Sequence, residues 1–524
     1  METIQWKMDE LFARAGLDIA DVPADIIVTS LTDNSNNVEP GTVFVAIKGS
    51  QRDGHTFISD AVEKGARVIL AEQPIPPYRG VHIFQVPDTK EVLGRLAHAW
   101  YGNPTAHMLV FGVSGTNGKT TTTYLLESIC RAAGVSAGVI GTIEYRFAGQ
   151  SEAAPNTTPS ALVLANLFAR MRRAGVGAVA MEVSSHAAHQ KRIAGIEFDV
   201  GILTNITQDH LDYHGTMEAY AEAKKTFYFD FLLRSRMKGT KPWAVFNHDD
   251  VWGKRFAAEF PAAYLTFGLD EGAQLRPENL IVSSRGISFT LTLPDGRRIE
   301  IRSPLLGYFN VQNILGAIGA AYAAGVDSDA IQRGVTELQG VPGRFERVDV
   351  GQPFAVIVDY AHTPDALQRV LANARQMTPS GRIITVFGCG GERDPSKRPL
   401  MGEAVASVSD YVIVTNDNPR REDPETIAAM IVEGIRRTSL PADQWRVILD
   451  RREAIGHALD VARKGDCVLI AGKGAEPYID IGGVKLPYDD RETARQLLRE
   501  RFDSLGRRKR SKSSASSATR QKEG

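Results

Sequence analysis

Residues suited to bind phosphate groups stand together at positions 111–126, which read FGVSGTNGKTTTTYLL. The apolar start predicts a buried strand, and Lys119 and Thr120 follow a glycine-rich turn at the start of a helix. In such a loop, backbone N–H groups bind phosphate oxygens, the lysine reaches the outer phosphates and the threonine hydroxyl holds Mg²⁺. Val113 replaces the first glycine of the common G-x-x-x-x-G-K-T pattern. We expect the nucleotide to be bound by Gly115, Thr116, Asn117, Gly118, Lys119, Thr120 and Thr121.

Two more strands are predicted to end beside this loop. Glu182 follows an apolar run at the end of one strand, and His210 lies just after the next, in NITQDH. A carboxylate and an imidazole at adjacent strand ends can hold a divalent cation near the outermost phosphate. A solvated acid or a helix cap is the alternative that these residues leave open.

Short polar groups precede a predicted helix at Asn156-Thr157-Thr158-Pro159-Ser160. They suit an anionic substrate at the helix N-terminus, although simple helix capping explains them equally well. Arg192, further along the chain, is a natural partner for a carboxylate or phosphate.

A second group of candidates opens the last third of the chain. Arg344 stands in GRFE, and Asp359 and His362 stand in DYAHTP at the end of an apolar run. On a separate domain, they could complete the nucleotide site when domains close. A linker or cap is the alternative for these residues alone.

The loop form Gly-Thr-Asn-Gly-Lys-Thr and the stretch DHLDYHG at 209–215 resemble the Mur ligases of peptidoglycan synthesis and the related folylpolyglutamate synthetases. The resemblance covers roughly residues 25 to 500. It implies that ATP phosphorylates a substrate carboxylate, that an amine attacks the acyl phosphate, and that an amide, ADP and phosphate result. The order is chemically sound, because a free carboxylate is a poor electrophile until a positioned phosphate converts its oxygen into a leaving group.

The resemblance also implies roles for single residues. In similar proteins the lysine of the AxAK segment, here Lys224, is carbamylated and binds a second Mg²⁺, although the sequence alone is more typical of a surface lysine on an amphipathic helix. Lys119, Lys224 and His210 are then catalytic, and Arg344, Asp359 and His362 contact ATP. The implied Mg²⁺ ligands are Thr120, Glu182, His210 and Lys224. The implied contacts to a UDP-linked dipeptide are Ser35, Asn156, Thr157, Thr158, Ser184, Gln190 and Arg192.

The segment Asp417-Asn418-Pro419-Arg420 resembles the members of the family that add meso-diaminopimelate to UDP-N-acetylmuramoyl-L-alanyl-D-glutamate. Diaminopimelate carries one carboxylate more than lysine, and an arginine can bind it with two hydrogen bonds. A site built for that anion rejects lysine, which would leave the guanidinium unpaired. The implied amino-acid contacts are Arg393, Asp417, Asn418, Pro419, Arg420, Gly472 and Glu476. A lysine-adding ligase, a folylpolyglutamate-type ligase and a nucleotide-dependent switch remain alternatives.

The chain departs from the family pattern in two places. Asn34-Ser35-Asn36 stands where the family usually shows D-S-R, so the contacts to the uridine diphosphate are left open. Gly474-Ala475-Glu476-Pro477 lacks the His and Asp that often accompany the Glu.

Strands and helices alternate along most of the chain, which predicts an α/β protein with mostly parallel sheets. Gly/Pro clusters near 104 and 342 suggest three domains. The resemblance makes 1–104 a UDP-substrate-binding α/β domain, 105–342 a P-loop ATP-binding domain with a mostly parallel sheet, and 343–506 a Rossmann-like amino-acid-binding domain. Residues 507–524 are predicted to be a disordered basic tail.

The composition is that of an ordinary globular protein, with 43% hydrophobic and 23% charged residues among 524. The chain has three cysteines without C-x-x-C spacing, which indicates a reducing compartment. We expect them to be small buried hydrophobic residues. Neither a signal peptide nor a run of about 18 apolar residues occurs, so we expect a cytoplasmic protein that does not insert into membranes. We also expect a monomer without a nucleic-acid partner.

Overall fold

The computed structural model describes residues 4–49, 52–235, 239, 241–283 and 285–501. The predicted basic tail, 507–524, lies outside the described residues. The chain divides into two compact units: unit 1 holds 1–279, 289–301 and 312–337, and unit 2 holds 280–288, 302–311 and 338–524. The predicted domain boundaries at 104 and 342 remain predictions. The predicted α/β class is confirmed.

Unit 1 begins with a small parallel sheet in which strands β3 to β6 lie in chain order. Apolar residues from both faces of this sheet are buried, as expected when helices and loops cover a parallel sheet on both sides. The elements are β1 (Trp6–Lys7), α1 (Met8–Arg14), β2 (Ile27–Val28), β3 (Ser30–Thr32), β4 (Thr42–Val45), α2 (Ile58–Glu63), β5 (Ala66–Ala71), β6 (His82–Gln85) and α3 (Thr89–Trp100).

The larger sheet of unit 1 has eight strands in the order β10-β9-β8-β11-β7-β12-β13-β14. Six of them run parallel, and β9 and β10 form an antiparallel edge. The elements are β7 (Leu109–Ser114), α4 (Lys119–Ala132), β8 (Ala137–Ile140), β9 (Glu144–Phe147), β10 (Gln150–Ala153), α5 (Ala161–Arg173), β11 (Ala178–Val183), α6 (Ser185–His189), β12 (Val200–Leu203), α7 (Leu211–His214), α8 (Met217–Thr226), β13 (Trp243–Asn247), α9 (Val251–Glu259) and β14 (Tyr264–Phe267).

The helical segment that begins at Met217 is divided into two parts. Helix α8 ends at Thr226, and a π-helical stretch follows over Phe227–Leu232. The wider turn brings Phe227, Tyr228 and Phe231 into the core, where they pack with aromatic neighbours. Such π-helical insertions often occur at functional sites. Further along the chain come β15 (Pro277–Ser283), β16 (Gly286–Thr292), β17 (Arg298–Ser303), α10 (Tyr308–Ala323) and α11 (Ser328–Glu337).

Unit 2 contains a six-stranded sheet in the order β18-β19-β23-β20-β21-β22, parallel except for β18. Buried apolar residues cover both faces. The chain is helical again over residues 490–501. The elements before that helix are β18 (Glu346–Arg347), β19 (Ala355–Asp359), α12 (Pro364–Met377), β20 (Ile383–Phe387), α13 (Lys397–Ala406), β21 (Tyr411–Val414), α14 (Pro424–Ile435), β22 (Trp445–Val447), α15 (Arg451–Val461), β23 (Cys467–Ala471), β24 (Tyr478–Ile481) and β25 (Val484–Pro487).

The three cysteines are buried and unbonded to one another, as predicted: Cys130, Cys389 and Cys467. Within the described ranges, no helix is both long and apolar enough to cross a bilayer. In each parallel sheet the strands deliver their last residues to one edge, and a ligand site is expected at that edge.

Candidate active site

The predicted phosphate loop joins β7 to α4 and is held by the end of the neighbouring strand β12. Gly115 has φ 144°, and a Cβ added there would lie 1.9 Å from the hydroxyl oxygen of Thr204. Only glycine fits so close to that side chain. The backbone N–H of Thr116 donates to the carbonyl of Asn205 at 2.7 Å, and that of Asn117 donates to the Asn205 side chain at 3.0 Å.

Lys119 begins α4 and is folded back over the loop. Its Nζ donates to the carbonyl oxygens of Gly115, at 2.9 Å, and of Thr116, at 2.8 Å. The ammonium therefore lies at the mouth of the loop, where it can reach a phosphate by exchanging these bonds. Thr121 is buried in the first turn of α4.

Glu182 is the last residue but one of β11 and is almost fully buried, with 1% of its surface exposed. Its Oε1 accepts hydrogen bonds from the Thr120 hydroxyl at 3.0 Å and from the Thr142 N–H at 2.9 Å, and its Oε2 accepts one from the Thr142 hydroxyl at 3.0 Å. The structure thus brings together two of the predicted Mg²⁺ ligands, Thr120 and Glu182. Thr142 was not predicted, because a single threonine after a strand carries no signal.

Hydroxyl and carboxylate oxygens are the ligands that Mg²⁺ prefers, so the Thr120–Glu182 pair fits that ion. In the described parts of the chain, no three His, Cys, Asp or Glu side chains form a group that could hold a metal by themselves. Mg²⁺ usually keeps several waters and binds one or two carboxylates together with substrate phosphates.

Lys224 is buried, with 1% of its surface exposed, and so is not the surface lysine that its sequence context favours. Its Nζ donates to the Gly115 carbonyl at 2.8 Å and lies 4.7 Å from the centre of the Tyr220 ring. Burial lowers the pKa of Lys224 well below its ordinary value, and the charge of Lys119 lowers it further, while Asp209 opposes them. A neutral amine is the form of lysine that reacts as a nucleophile.

His210 stands just before α7 in the left-handed backbone region, with φ 53°. Burial lowers the pKa of its imidazole, and the charges of Lys119 and Lys224 act in the same direction against Asp209. A neutral imidazole can accept a metal ion. Its ring centre lies 4.9 Å from that of His186.

The predicted dipeptide contacts meet at the start of α6 and the turn after it. Thr158 is buried, donates its hydroxyl to the Glu182 carbonyl at 2.7 Å and accepts the N–H of Ser184 at 3.0 Å. Arg192 donates to the Gln190 side chain, at 2.9 and 2.6 Å, and to the Thr158 carbonyl at 2.9 Å. The structure brings these four residues together.

Arg192 carries a charge that its own surroundings leave unbalanced. Within the described ranges no carboxylate forms an ion pair with it, and burial lowers the pKa of its guanidinium. An arginine in this setting favours an incoming anion. Helix α5 begins without a side-chain cap, so the NTTP segment before it does not act as one.

The other predicted substrate contacts lie on either side of this group. Thr157 shares a 3.0 Å hydroxyl hydrogen bond with Thr142, and the Asn156 carbonyl accepts the Tyr145 hydroxyl at 2.7 Å. Ser35 lies apart from them, beyond the end of β3, where its carbonyl accepts the Lys64 ammonium at 3.1 Å.

The predicted nucleotide contacts of unit 2 lie around the end of β19. They are Arg344, Asp359 and His362. Burial raises the pKa of Asp359, which accepts N–H groups from Phe345 and Ala361, both at 2.7 Å. The guanidinium of Arg344 stacks 4.7 Å from the centre of the Tyr360 ring. His362 donates its Nδ1–H to the Tyr360 carbonyl at 2.8 Å.

A cavity of about 190 Å³ opens at the carboxyl ends of the strands in unit 2. It gathers most of the residues predicted to bind the amino acid, although Pro419 does not line it. Predicted residues that line the cavity are Arg393, Asp417, Asn418, Arg420, Gly472 and Glu476, together with His362. Gly472 has φ 115°, and a Cβ there would lie 2.5 Å from an Asp417 oxygen.

Arg420 has a left-handed backbone conformation, with φ 53°. Backbone hydrogen bonds to the side of the cavity formed by β24 hold it in this conformation. One terminal N–H of its guanidinium donates to the Gly391 carbonyl. No carboxylate of the described residues forms an ion pair with it, although its charge contributes to lowering the pKa of Glu422.

Lys473 was missed by the sequence reasoning, although it stands between two predicted residues in the chain. It is fully buried, and its ammonium donates to Asn418 Oδ1 and to Glu476 Oε2, both at 3.0 Å. Asn418 also donates its amide to Glu476 at 2.9 Å. The three side chains therefore fix one another at the cavity wall.

Three domain families match the chain in series. They are the Mur ligase family, catalytic domain, over residues 28–101, the Mur ligase middle domain over 113–321, and the Mur ligase glutamate ligase domain over 343–474.

Two similar curated proteins are each named UDP-N-acetylmuramoyl-L-alanyl-D-glutamate–2,6-diaminopimelate ligase. The protein of Solibacter usitatus (strain Ellin6076) is 44% identical over 90% of this chain and 94% of its own. That of Gloeobacter violaceus (strain ATCC 29082 / PCC 7421) is 44% identical over 94% of this chain and 98% of its own.

Solved structures are similar as well. A structure titled with the same ligase name is 33% identical, has a TM-score of 0.69, and covers 94% of this chain and 99% of its own. The fold is shared by a MurF ligase from Thermotoga maritima in complex with ADP, at 22% identity and a TM-score of 0.56, over 91% of this chain and 98% of its own.

Proposed function

Because this chain belongs to the Mur ligase family, we propose that it is an ATP-dependent ligase that joins meso-2,6-diaminopimelate to the D-glutamate carboxylate of UDP-N-acetylmuramoyl-L-alanyl-D-glutamate. The product is a peptidoglycan precursor. The observation that carries the choice of amino acid is the cavity in unit 2, which Arg393, Arg420 and Glu476 line together. Cationic and anionic groups around one small space suit a ligand with two carboxylates and two amines.

The reaction has two steps. A carboxylate oxygen of the D-glutamyl residue attacks the γ-phosphorus of ATP, the bond from that phosphorus to the bridging oxygen breaks, and ADP leaves. An amine of diaminopimelate then attacks the acyl carbon, the bond to the phosphate oxygen breaks, and phosphate and one proton are released. Positioning and charge stabilisation supply most of the catalysis in such phosphoryl transfers.

Lys119 is suited to bind the outer phosphates, because its ammonium already lies at the mouth of the loop. Thr120, Glu182 and His210 would hold Mg²⁺, which supplies positive charge beside the phosphates. Thr142 keeps the Glu182 carboxylate in place through two hydrogen bonds.

Lys224 is proposed to be carbamylated, as in similar proteins. Its neutral Nζ would attack CO₂, form an N–C bond and lose a proton, which leaves a carboxylate-like group able to bind a second Mg²⁺. The lowered pKa and the burial of Lys224 support this, because they favour the neutral amine. The reaction would also modify one of the two lysine nitrogens that donate to the Gly115 carbonyl.

Arg192 and Gln190, with Thr158 and Ser184, are proposed to bind the acidic dipeptide part of the nucleotide substrate. Asn156, Thr157 and Ser35 are proposed as further contacts to the same substrate. Arg344, Asp359 and His362 are proposed as nucleotide contacts. We further propose that the enzyme works as a cytoplasmic monomer without a nucleic-acid partner, which sedimentation velocity and a nucleic-acid binding assay would test.

Arg420 is the proposed selector for diaminopimelate, because it lines the cavity and its guanidinium forms no ion pair with a carboxylate of the described residues. A charge-assisted hydrogen bond contributes about 1.5–3 kcal/mol, so losing it is expected to raise the KM for diaminopimelate roughly 10- to 100-fold. Lysine, which lacks the second carboxylate, is expected to gain nothing from Arg420.

The test is phosphate release with diaminopimelate, L-lysine or L-glutamate as the amine, with the amide product identified by mass spectrometry. The wild-type protein is expected to use diaminopimelate, Arg420→Met to lose that preference, and the exposed neighbour Arg421→Met to keep it. Activity with lysine alone would refute the choice of amino acid. Nucleotide binding without any amide product would refute the ligase assignment.

A further inference from the structure

A fully buried ion pair lies in unit 2, among residues that have no part in the proposed reaction. The side chains of Arg451 and Asp490 are 1% and 0% exposed. Arg451 Nε donates to Asp490 Oδ1 at 2.8 Å, and Nη2 donates to Oδ2 at 2.7 Å. This two-bond geometry fixes the orientation of the guanidinium.

The remaining contacts of Arg451 are to two backbone carbonyls. Its Nη1 donates to the Asn416 carbonyl and its Nη2 to the Ala471 carbonyl, both at 2.9 Å. Asn416 immediately precedes the segment 417–420, and Ala471 immediately precedes the segment 472–476. We call these two segments the cavity loops, because residues of both line the cavity of unit 2.

The two cavity loops follow strands that are not neighbours. In the sheet order, β20 lies between β21 and β23, so no backbone hydrogen bonds of the sheet join the strands that carry the loops. Arg451 is the first residue of α15, and its planar guanidinium bridges the gap between the two loops. Asp490 holds that group from the start of the helix over residues 490–501.

We propose that Arg451, held by Asp490, is the positioning residue of the amino-acid cavity and sets the spacing between its two loops. The proposal rests on the proposed function in so far as the cavity binds the diamino acid. Arg451 acts through the loops, since it does not line the cavity.

The distance between the two cavity loops matters because side chains of the loops themselves also bind one another. Lys473 on one loop donates to Asn418 on the other at 3.0 Å, and Asn418 donates to Glu476 at 2.9 Å. These contacts tolerate little displacement, because hydrogen bonds weaken steeply with poor geometry. A shift between the loops would therefore misplace Glu476 relative to Arg420.

The test compares Arg451→Gln, Arg451→Lys and the apolar double variant Arg451→Met/Asp490→Leu, which removes both charges together and can still fold. The matched control is Arg382→Gln. Arg382 also pairs with an aspartate, Asp466, at 2.6 Å, but at the amino ends of β20 and β23, the opposite edge of the same sheet.

For each variant we would measure the KM for diaminopimelate, for ATP and for the nucleotide substrate, the thermal midpoint, and amide hydrogen exchange. The KM for diaminopimelate is expected to rise about tenfold or more in Arg451→Gln and in the double variant, and less in Arg451→Lys. The other two KM values should stay within about twofold. Amide exchange should increase in both cavity loops. Arg382→Gln is expected to lower the thermal midpoint without either change.

An unchanged KM for diaminopimelate, with loop exchange no different from that of Arg382→Gln, would overturn the proposal and leave the pair a purely structural one. If Arg451→Gln does not fold, the double variant decides by the same two readouts. If the wild-type protein itself does not use diaminopimelate, the proposed function fails. In that case the exchange of the two loops alone confirms or overturns the positioning role.

Discussion

His98 gives a sharp prediction about the pH dependence of stability. It lies in α3 with 0% of its surface exposed, and within the described ranges neither ring nitrogen has a hydrogen-bond partner. Its ring centre lies 5.8 Å from that of Phe168. Burial lowers the pKa of His98 from the ordinary 6.5 to about 3. The folded protein therefore keeps this ring neutral at a pH where the unfolded chain protonates it.

Proton linkage gives the sign and the size of the change in the free energy of unfolding with pH. Between pH 6.5 and 3 the unfolded chain binds more protons, so the free energy of unfolding falls as the pH falls. At pH 5 the free energy of protonating an unfolded histidine of pKa 6.5 is 1.36 × log(1 + 10^1.5), or about 2 kcal/mol, and at pH 8 it is close to zero. His98 alone should thus remove about 2 kcal/mol of stability between these two pH values.

The change to test is His98→Leu, with exposed His107→Leu as the matched control. Urea unfolding at pH 8 and at pH 5 would be followed by tryptophan fluorescence, for which Trp100 on the same helix is a probe. The stability of His98→Leu relative to wild type should increase by about 2 kcal/mol on going to pH 5, and that of His107→Leu should not. Parallel losses in wild type and His98→Leu would refute the reasoning.

Two further predictions concern the phosphate site. Lys224→Met is expected to abolish phosphate release. It is also expected to raise the thermal midpoint, because an apolar side chain replaces a buried amine that folding must otherwise neutralise. A variant that stays active, or that melts earlier, would contradict this. Thr142→Val removes one of the three hydrogen-bond donors to the Glu182 carboxylate. It is expected to raise the Mg²⁺ concentration for half-maximal rate roughly tenfold, measured by phosphate release over a magnesium titration, and an unchanged titration would contradict this.

The phosphate loop was predictable because its signal is local. The apolar strand, the glycines and Lys119 lie within a few residues of one another, and the observed β7, loop and α4 follow the same order. The parallel sheets could be predicted equally well, since strand and helix patterns alternate along the chain. That the strand carrying Glu182 ends beside the phosphate loop followed from the rule that parallel strands end at one edge, and β11 does lie parallel to β7.

Other parts of the site depend on tertiary packing that no local pattern encodes. Lys224 lies on a helix whose charge pattern suits a solvated face, yet the loop and Tyr220 cover it. Arg451 and Asp490 are 39 positions apart, and each alone looks like an ordinary surface charge. Lys473 was adjacent to a predicted residue, but its direction toward Asn418 appears only in three dimensions.

The Gly115 carbonyl, which accepts hydrogen bonds from both Lys119 and Lys224, has a consequence for how the loop keeps its shape during turnover. Each time Lys119 leaves to meet a phosphate, this buried oxygen loses one donor, and Lys224 is the partner that stays. Carbamylation changes that partner from a neutral amine to a group that carries a negative charge. The covalent state of Lys224 would then set the charge beside the oxygen that Lys119 leaves behind.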